Sequence, residues 1–88
     1  MEDRIHKIIA ELDYAMGYTI TYIDLNGQEK CYDLWFDKED TFYCLQTIYL
    51  LDGKPEEIGE THSYTKSEIT RKLHELSAYD QFHVREWD

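Results

Sequence analysis

The residues of this chain that could do chemistry are mainly carboxylates, and they are grouped. Two groups lie in its middle: Asp37, Glu39 and Asp40, then Asp52, Glu56, Glu57 and Glu60. Alternate residues of a strand lie about 6.5–7 Å apart, a spacing at which carboxylates can imitate a row of nucleic-acid phosphates. Acidic residues are also common in turns, where they keep a small domain soluble. The groups therefore predict either a surface for a basic partner or solvated turns.

The histidines and cysteines show no pattern typical of a metal site or an active site. None of the four histidines or of Cys31 and Cys44 has the close paired spacing of structural zinc ligands. The glycines form no phosphate-binding loop, and no serine lies in a nucleophile elbow. We therefore expect no metal, no cofactor and no catalytic residue, and we predict that the protein is not an enzyme.

Charge limits the choice of partners. The 88 residues carry 19 Asp and Glu against 9 Lys and Arg, a net charge of −10, and residues 33–60 alone carry −6. Such a chain is not expected to bind nucleic acid directly, because affinity for phosphates comes from clustered cations. The charge favours a protein partner with a basic surface.

Composition indicates a folded, soluble domain. Hydrophobic residues make up 42% and aromatic residues 15% of the chain, more than is typical of a disordered acidic segment. We predict one domain over residues 1–88. The sequence has no run of about 18 apolar residues, so we expect no transmembrane helix, and no signal peptide is evident. With only two cysteines, a reduced, cytoplasmic protein is expected.

The hydrophobic periodicity predicts two helices and five strands. The helices are expected at 2–16 and 66–79, and the strands at 18–25, 30–36, 41–51, 56–64 and 82–87. Asn26-Gly27 is a hairpin signal, and Thr65 with Glu68 fits a capping box at the second helix. The fold class is α+β, an antiparallel meander of four to five strands in the order α-β-β-β-β-α-β.

A two-residue turn at Asn26-Gly27 sets a register in which Thr21 faces Tyr32. That register predicts a core face of Ile23, Leu25, Tyr32, Leu34, Phe36, Tyr43, Leu45, Tyr49, Leu51 and Ile58. The opposite face collects Tyr18, Ile20, Tyr22, Cys31, Trp35, Phe42, Cys44, Ile48 and Leu50, mixed with Asp24, Glu29, Asp33 and Glu57. In the same register Cys31 and Cys44 are diagonal neighbours, beyond disulfide reach. This second face is either an interaction surface or a second small core under one helix.

Together these features favour a cytoplasmic inhibitor that occupies the basic groove of a nucleic-acid-binding enzyme, such as a nuclease. The predicted partner-binding residues are Asp33, Asp37, Glu39, Asp40, Glu56, Glu57 and Glu60, with Tyr22 and Trp35 as aromatic anchors. In general character the chain is similar to the small acidic inhibitors of phages and mobile elements, of the anti-restriction or anti-CRISPR kind. The alternative is a non-catalytic module that forms a homodimer through the face of Tyr18, Tyr22, Trp35 and Phe42.

Overall fold

Two helices and five strands follow one another along the described chain in the order that the sequence predicts. The computed structural model describes residues 2–12 and 14–87. Its elements are α1 (Glu2–Glu11), β1 (Tyr18–Ile23), β2 (Glu29–Asp37), β3 (Phe42–Leu51), β4 (Lys54–Tyr64), α2 (Lys66–Ser77) and β5 (Asp80–Glu86). The five strands form one antiparallel sheet, so the predicted α+β class is confirmed. No helix among the described residues is long and apolar enough to cross a membrane.

The sheet has the strand order β4-β3-β2-β1-β5. The first four strands are joined by consecutive turns, whereas β5 pairs with β1 at the far edge. Between β4 and β5 the chain must cross the width of the sheet, and α2 makes this crossing. Its buried side chains Ile69, Leu73 and Leu76 lie at helical spacing on one face.

Both helices pack on the same face of the sheet, where their apolar stripes join one core. Helix α1 contributes Ile5, Ile8 and Ile9, the turn after it contributes Leu12, and α2 contributes the three residues named above. The strands contribute Tyr18, Ile20, Tyr22, Leu34, Tyr43 and Leu45. The other face is covered by neither helix. We call it the open face; its central residues are Thr19, Thr21, Cys31, Asp33, Trp35, Cys44, Gln46 and Ile48.

The predicted capping box starts α2. Thr65 Oγ1 accepts a hydrogen bond from the Glu68 amide at 3.3 Å, and Glu68 Oε1 accepts one from the Thr65 amide at 2.8 Å. These bonds satisfy two amides that have no partner within the helix. The hydrogen bond from the Thr65 amide, and then one from the Thr65 side chain, lower the pKa of the Glu68 carboxyl because they stabilise its charged form.

The predicted register of the first hairpin is wrong by one residue. Thr21 faces Cys31 rather than Tyr32, and the loop between the paired residues Asp24 and Gln28 has three residues instead of two. The Asp24 carboxylate accepts hydrogen bonds from the amides of Asn26 and Gln28, both at 2.9 Å, and Gly27 has φ +78°. This geometry is a type I turn followed by a left-handed glycine.

A slip of one residue moves every side chain of β1 to the other face. Tyr18, Ile20 and Tyr22 therefore belong to the core, whereas Leu25 is 92% exposed. Three residues near the β3–β4 turn were also wrongly predicted to be core, since Tyr49, Leu51 and Ile58 are more than half exposed. Tyr32, Leu34, Phe36, Tyr43 and Leu45 contact or form the core as predicted.

Two predicted helix ends are too long. Helix α1 ends at Glu11 rather than at residue 16, because the amides of Tyr14 and Ala15 both bond to the Glu11 carbonyl and close a turn. Met16, predicted on its apolar stripe, is 71% exposed. Helix α2 ends at Ser77 rather than at residue 79.

Candidate protein-binding surface

The acidic groups of the sequence come together along one side of the sheet. We call this side the acidic margin; it consists of Asp37 at the end of β2, the β2–β3 turn, the β3–β4 turn and β4. Its carboxylates are Asp37, Glu39, Asp40, Asp52, Glu56, Glu57 and Glu60. With Lys38 and Lys54 they give residues 37–64 a net charge of −5, half of the charge of the chain. The two turns lie at opposite ends of the ten-residue strand β3, so the margin is about 33 Å long.

Six of the seven carboxylates are exposed; Asp37 is half-buried. The one ion pair of the margin among the described residues joins Glu60 Oε2 to His62 Nε2 at 3.4 Å, and it requires a protonated histidine. Mutual repulsion is therefore largely unrelieved within the described part of the molecule. A cationic partner would relieve it.

One carboxylate of the acidic margin, that of Asp37, stabilises the β2–β3 turn. Asp37 Oδ1 accepts hydrogen bonds from the amides of Glu39 and Asp40, at 3.0 and 3.3 Å. The carboxylate of Asp37 thus shapes the turn, while those of Glu39 and Asp40 extend into solvent. Thr41 closes the turn with φ +58°, a conformation that a β-branched residue rarely adopts.

The carboxylates of β4 do not form the evenly spaced row that strict alternation would give. Two irregularities interrupt the pairing of β3 with β4, one between Gln46 and Ile48 and one between Tyr49 and Leu50. At each of them an extra residue enters β4, which changes the direction of the side chains that follow. Glu56, Glu57 and Glu60 therefore point in several directions along an exposed edge.

The open face brings together Asp33 and Trp35 with two residues that the sequence analysis did not single out. Trp87 Nε1 donates a hydrogen bond to Thr19 Oγ1 at 2.8 Å, and Thr19 Oγ1 donates one to Asp33 Oδ1 at 3.1 Å. The rings of Trp35 and Trp87 lie 6.5 Å apart. Alternation at the end of the chain predicted the last strand, but nothing local indicated its position beside β1.

A groove of about 460 Å³ crosses the open face. All five strands line it, among them Thr19, Cys31, Ile48, Ile58 and Arg85. Burial, and then the nearby Asp33 carboxylate, raise the pKa of the Cys31 thiol to about 11. At neutral pH this thiol is protonated and a poor nucleophile.

Tyr22, predicted to be an exposed anchor, is buried. It is 6% exposed and stacks on Tyr79, with ring centroids 4.8 Å apart. Burial also raises the pKa of its hydroxyl. In the observed register, which differs by one residue from the predicted one, Tyr22 faces the helices. Of the two predicted anchors, only Trp35 remains on an accessible face, where it is half-buried.

The cysteines lie farther apart than the predicted register implied. Cys31 faces Ile48, and Cys44 faces Trp35. The two cysteines are therefore offset by four positions along the strands, a distance of about 13 Å. That distance is well beyond the reach of a disulfide bond, and both thiols are free and buried. Across the residues that the structure describes, no three His, Cys, Asp or Glu side chains are grouped so that they could hold a metal ion.

The described residues form an α+β fold with one strongly acidic margin and one open face that carries both apolar and polar side chains. No protein-family model, curated protein or solved structure matches this chain at a significant level.

Proposed function

We propose that this protein is an acidic inhibitor that binds the basic, nucleic-acid-binding surface of another protein, such as a nuclease. The observation that carries the proposal is the concentration of half of the net charge along one exposed margin. The margin is about 33 Å long, close to one turn of duplex DNA, which is about 34–36 Å. A groove that accommodates one turn of duplex could accommodate this side of the sheet.

The carboxylates are available for such a contact. Glu39, Asp40, Glu56 and Glu57 are exposed, and no ion pair among the described residues neutralises them. Attraction between this margin and a basic groove would accelerate association and make it sensitive to salt. Screening over about 8 Å at physiological ionic strength means that the attraction acts mainly at close approach.

Self-association through the open face is the second candidate. The absence of a helix on this face and the exposure of Phe42, at 41%, favour it. However, the burial of Tyr18 and Tyr22 removes two of the four aromatic residues on which this alternative was built. Each copy also carries −10, which opposes a dimer. Native mass spectrometry separates the candidates: the inhibitor is expected as a monomer, and a stable dimer would favour the second candidate.

The proposal is tested by neutralising the margin and identifying what no longer binds. The triple variant Glu56→Gln, Glu57→Gln, Glu60→Gln removes three exposed charges from β4. Its matched control is Glu29→Gln, Glu75→Gln, Glu86→Gln, which removes three exposed charges outside the margin and gives the same net charge. The wild type and both variants are immobilised, and bacterial lysate is passed over them at low and high salt.

We expect the wild type and the control variant to retain a nucleic-acid-binding protein at low salt and to release it at high salt. A duplex oligonucleotide should displace this protein, because both ligands use the same groove. The β4 variant should retain much less of it. A partner that resists both salt and duplex, and that binds all three proteins equally, would contradict the proposal.

A further inference from the structure

Strand β4 is an open edge of the sheet. Its 11 residues make it the longest strand, and it pairs with β3 on one side only. Among the described residues no strand lies on its other side, so its outward amides and carbonyls are available to a further strand. All but Gly59 and Tyr64 of its residues are exposed.

The charges of this edge select which strand could be added. In an antiparallel pair of two β4 edges centred on residues 57–60, Glu57 and Glu60 would meet Glu60 and Glu57 of a second copy. Like charges placed opposite each other destabilise a pair of strands, and opposite charges stabilise it. The acidic half of the edge therefore opposes pairing with its own copy, and its charge favours an extended segment that carries Lys or Arg.

The regular part of β4 defines where this segment would lie. Thr61–Tyr64 pair without interruption with residues 43–46 of β3, and they include no Asp, Glu, Lys or Arg. Glu60 precedes this run, and the β2–β3 turn with Glu39 and Asp40 lies at the end of the sheet where the run finishes. A matching segment would be β-branched or neutral in its centre and basic at both ends.

We propose that the edge of β4 takes up an extended basic segment of the partner as a sixth strand, centred on Thr61–Tyr64. This inference rests on the proposed function and adds the partner's structural element to it. Backbone hydrogen bonds would supply affinity, as in other cases of strand addition. Glu60 beside one end of the run, and more distantly Glu39 and Asp40 beyond its other end, would supply the selection for basic residues.

The test uses a synthetic probe, the acetylated and amidated peptide Lys-Lys-Val-Thr-Val-Thr-Lys-Lys. Its control has the same sequence and charge but carries N-methyl groups on alternate residues of the centre, which removes the donors that a strand needs. Binding of each peptide to the full chain is measured at low salt. Amide hydrogen exchange in β4 is followed by NMR in the free and bound states.

We expect the dissociation constant of the N-methylated peptide to be at least about ten times that of the unmodified one, because the N-methylated peptide loses at least two hydrogen bonds. Alternate amides between residues 61 and 64 should gain protection. Equal binding of both peptides without protection would overturn strand addition. Such a result would leave the proposed charge-driven binding intact. That proposal fails separately, if the β4 charge variant binds the partner as the wild type does and duplex does not compete. Binding of neither peptide would also overturn the inference.

Discussion

Replacing Ile20 or Ile23 by alanine tests the register of β1, which decides which aromatic residues a partner can reach. The two isoleucines lie on the same strand but on opposite faces. Ile20 is completely buried between Tyr32 of β2 and Val84 of β5, and Ile23 is half-buried at the end of the strand. Because both changes are Ile to Ala within one strand, their effects on strand propensity largely cancel in the comparison.

The expected costs differ because only one change leaves a cavity in the core. Truncating a core isoleucine costs about 2–5 kcal/mol, and we expect about 3 kcal/mol for Ile20→Ala because neighbours on both sides limit collapse of the cavity. In a domain of this size that loss lowers the melting temperature by roughly 12–24 °C. We expect Ile23→Ala to cost about 1 kcal/mol, since much of its side chain already contacts water.

The assay is urea denaturation followed by far-UV circular dichroism, with the thermal midpoint measured in parallel. Similar m-values in the two variants would show that the same surface is exposed on unfolding, so that the midpoints can be compared. If Ile23→Ala cost as much as Ile20→Ala, or more, the register and the burial of Tyr18 and Tyr22 would be refuted.

Three further predictions concern the open face. In Gly17→Ala the new methyl group would lie 2.6 Å from two ring atoms of Trp87, so we expect displacement of the indole. The free energy of unfolding in urea titrations should fall by about 1–3 kcal/mol, and the tryptophan fluorescence should shift to the red. Unchanged emission would contradict the packing of Trp87 on Gly17. The pKa of the buried Cys31 thiol is about 11 in the folded state, above the usual 9.0, so this thiol should react slowly with a disulfide reagent at neutral pH until the protein is unfolded. The pKa of Cys31 is higher in the folded than in the unfolded state, so the stability that Cys31 contributes is present below pH 9 and is lost as the pH rises towards 11. Urea midpoints that rise between pH 9 and 11 would contradict the raised pKa.

The element order could be predicted from the sequence because each element has a local signal. The spacing of Ile69, Leu73 and Leu76 and the capping box at Thr65 define α2 without reference to the rest of the chain. Asp52-Gly53 likewise forms the two-residue β3–β4 turn, with both residues at positive φ as a type I′ turn requires.

The register depended on a choice between two turns that share the Asn-Gly signal. Asp24 lies three residues before Gly27, which is also the pattern of a type I turn with Asp first and Gly fourth. Its carboxylate bonds to two loop amides and thereby stabilises the longer loop. The sequence therefore contained the signal for the three-residue loop, in the position of Asp24, as well as the Asn26-Gly27 signal for a two-residue turn.

The open face could not be predicted from local pattern, because it depends on where the two helices pack. The crossing from β4 to β5 places α2 on one face, and contact between α1 and α2 places α1 on the same face. The approach of Trp87 to Thr19 spans 68 positions of the chain and follows from the pairing of β5 with β1. The acidic margin was easier to anticipate, because its carboxylates form two groups of residues that are neighbours in the sequence.

The central claim, that the acidic margin binds a basic groove, is tested most directly by the salt dependence of binding to the captured partner. Dissociation constants are measured over a range of salt concentrations for the wild type, the β4 variant of Glu56, Glu57 and Glu60, and the matched control. We predict that the β4 variant binds about 1–3 kcal/mol more weakly at low salt, with a shallower dependence on salt, while the control follows the wild type. Identical affinities and slopes for all three proteins would contradict the claim.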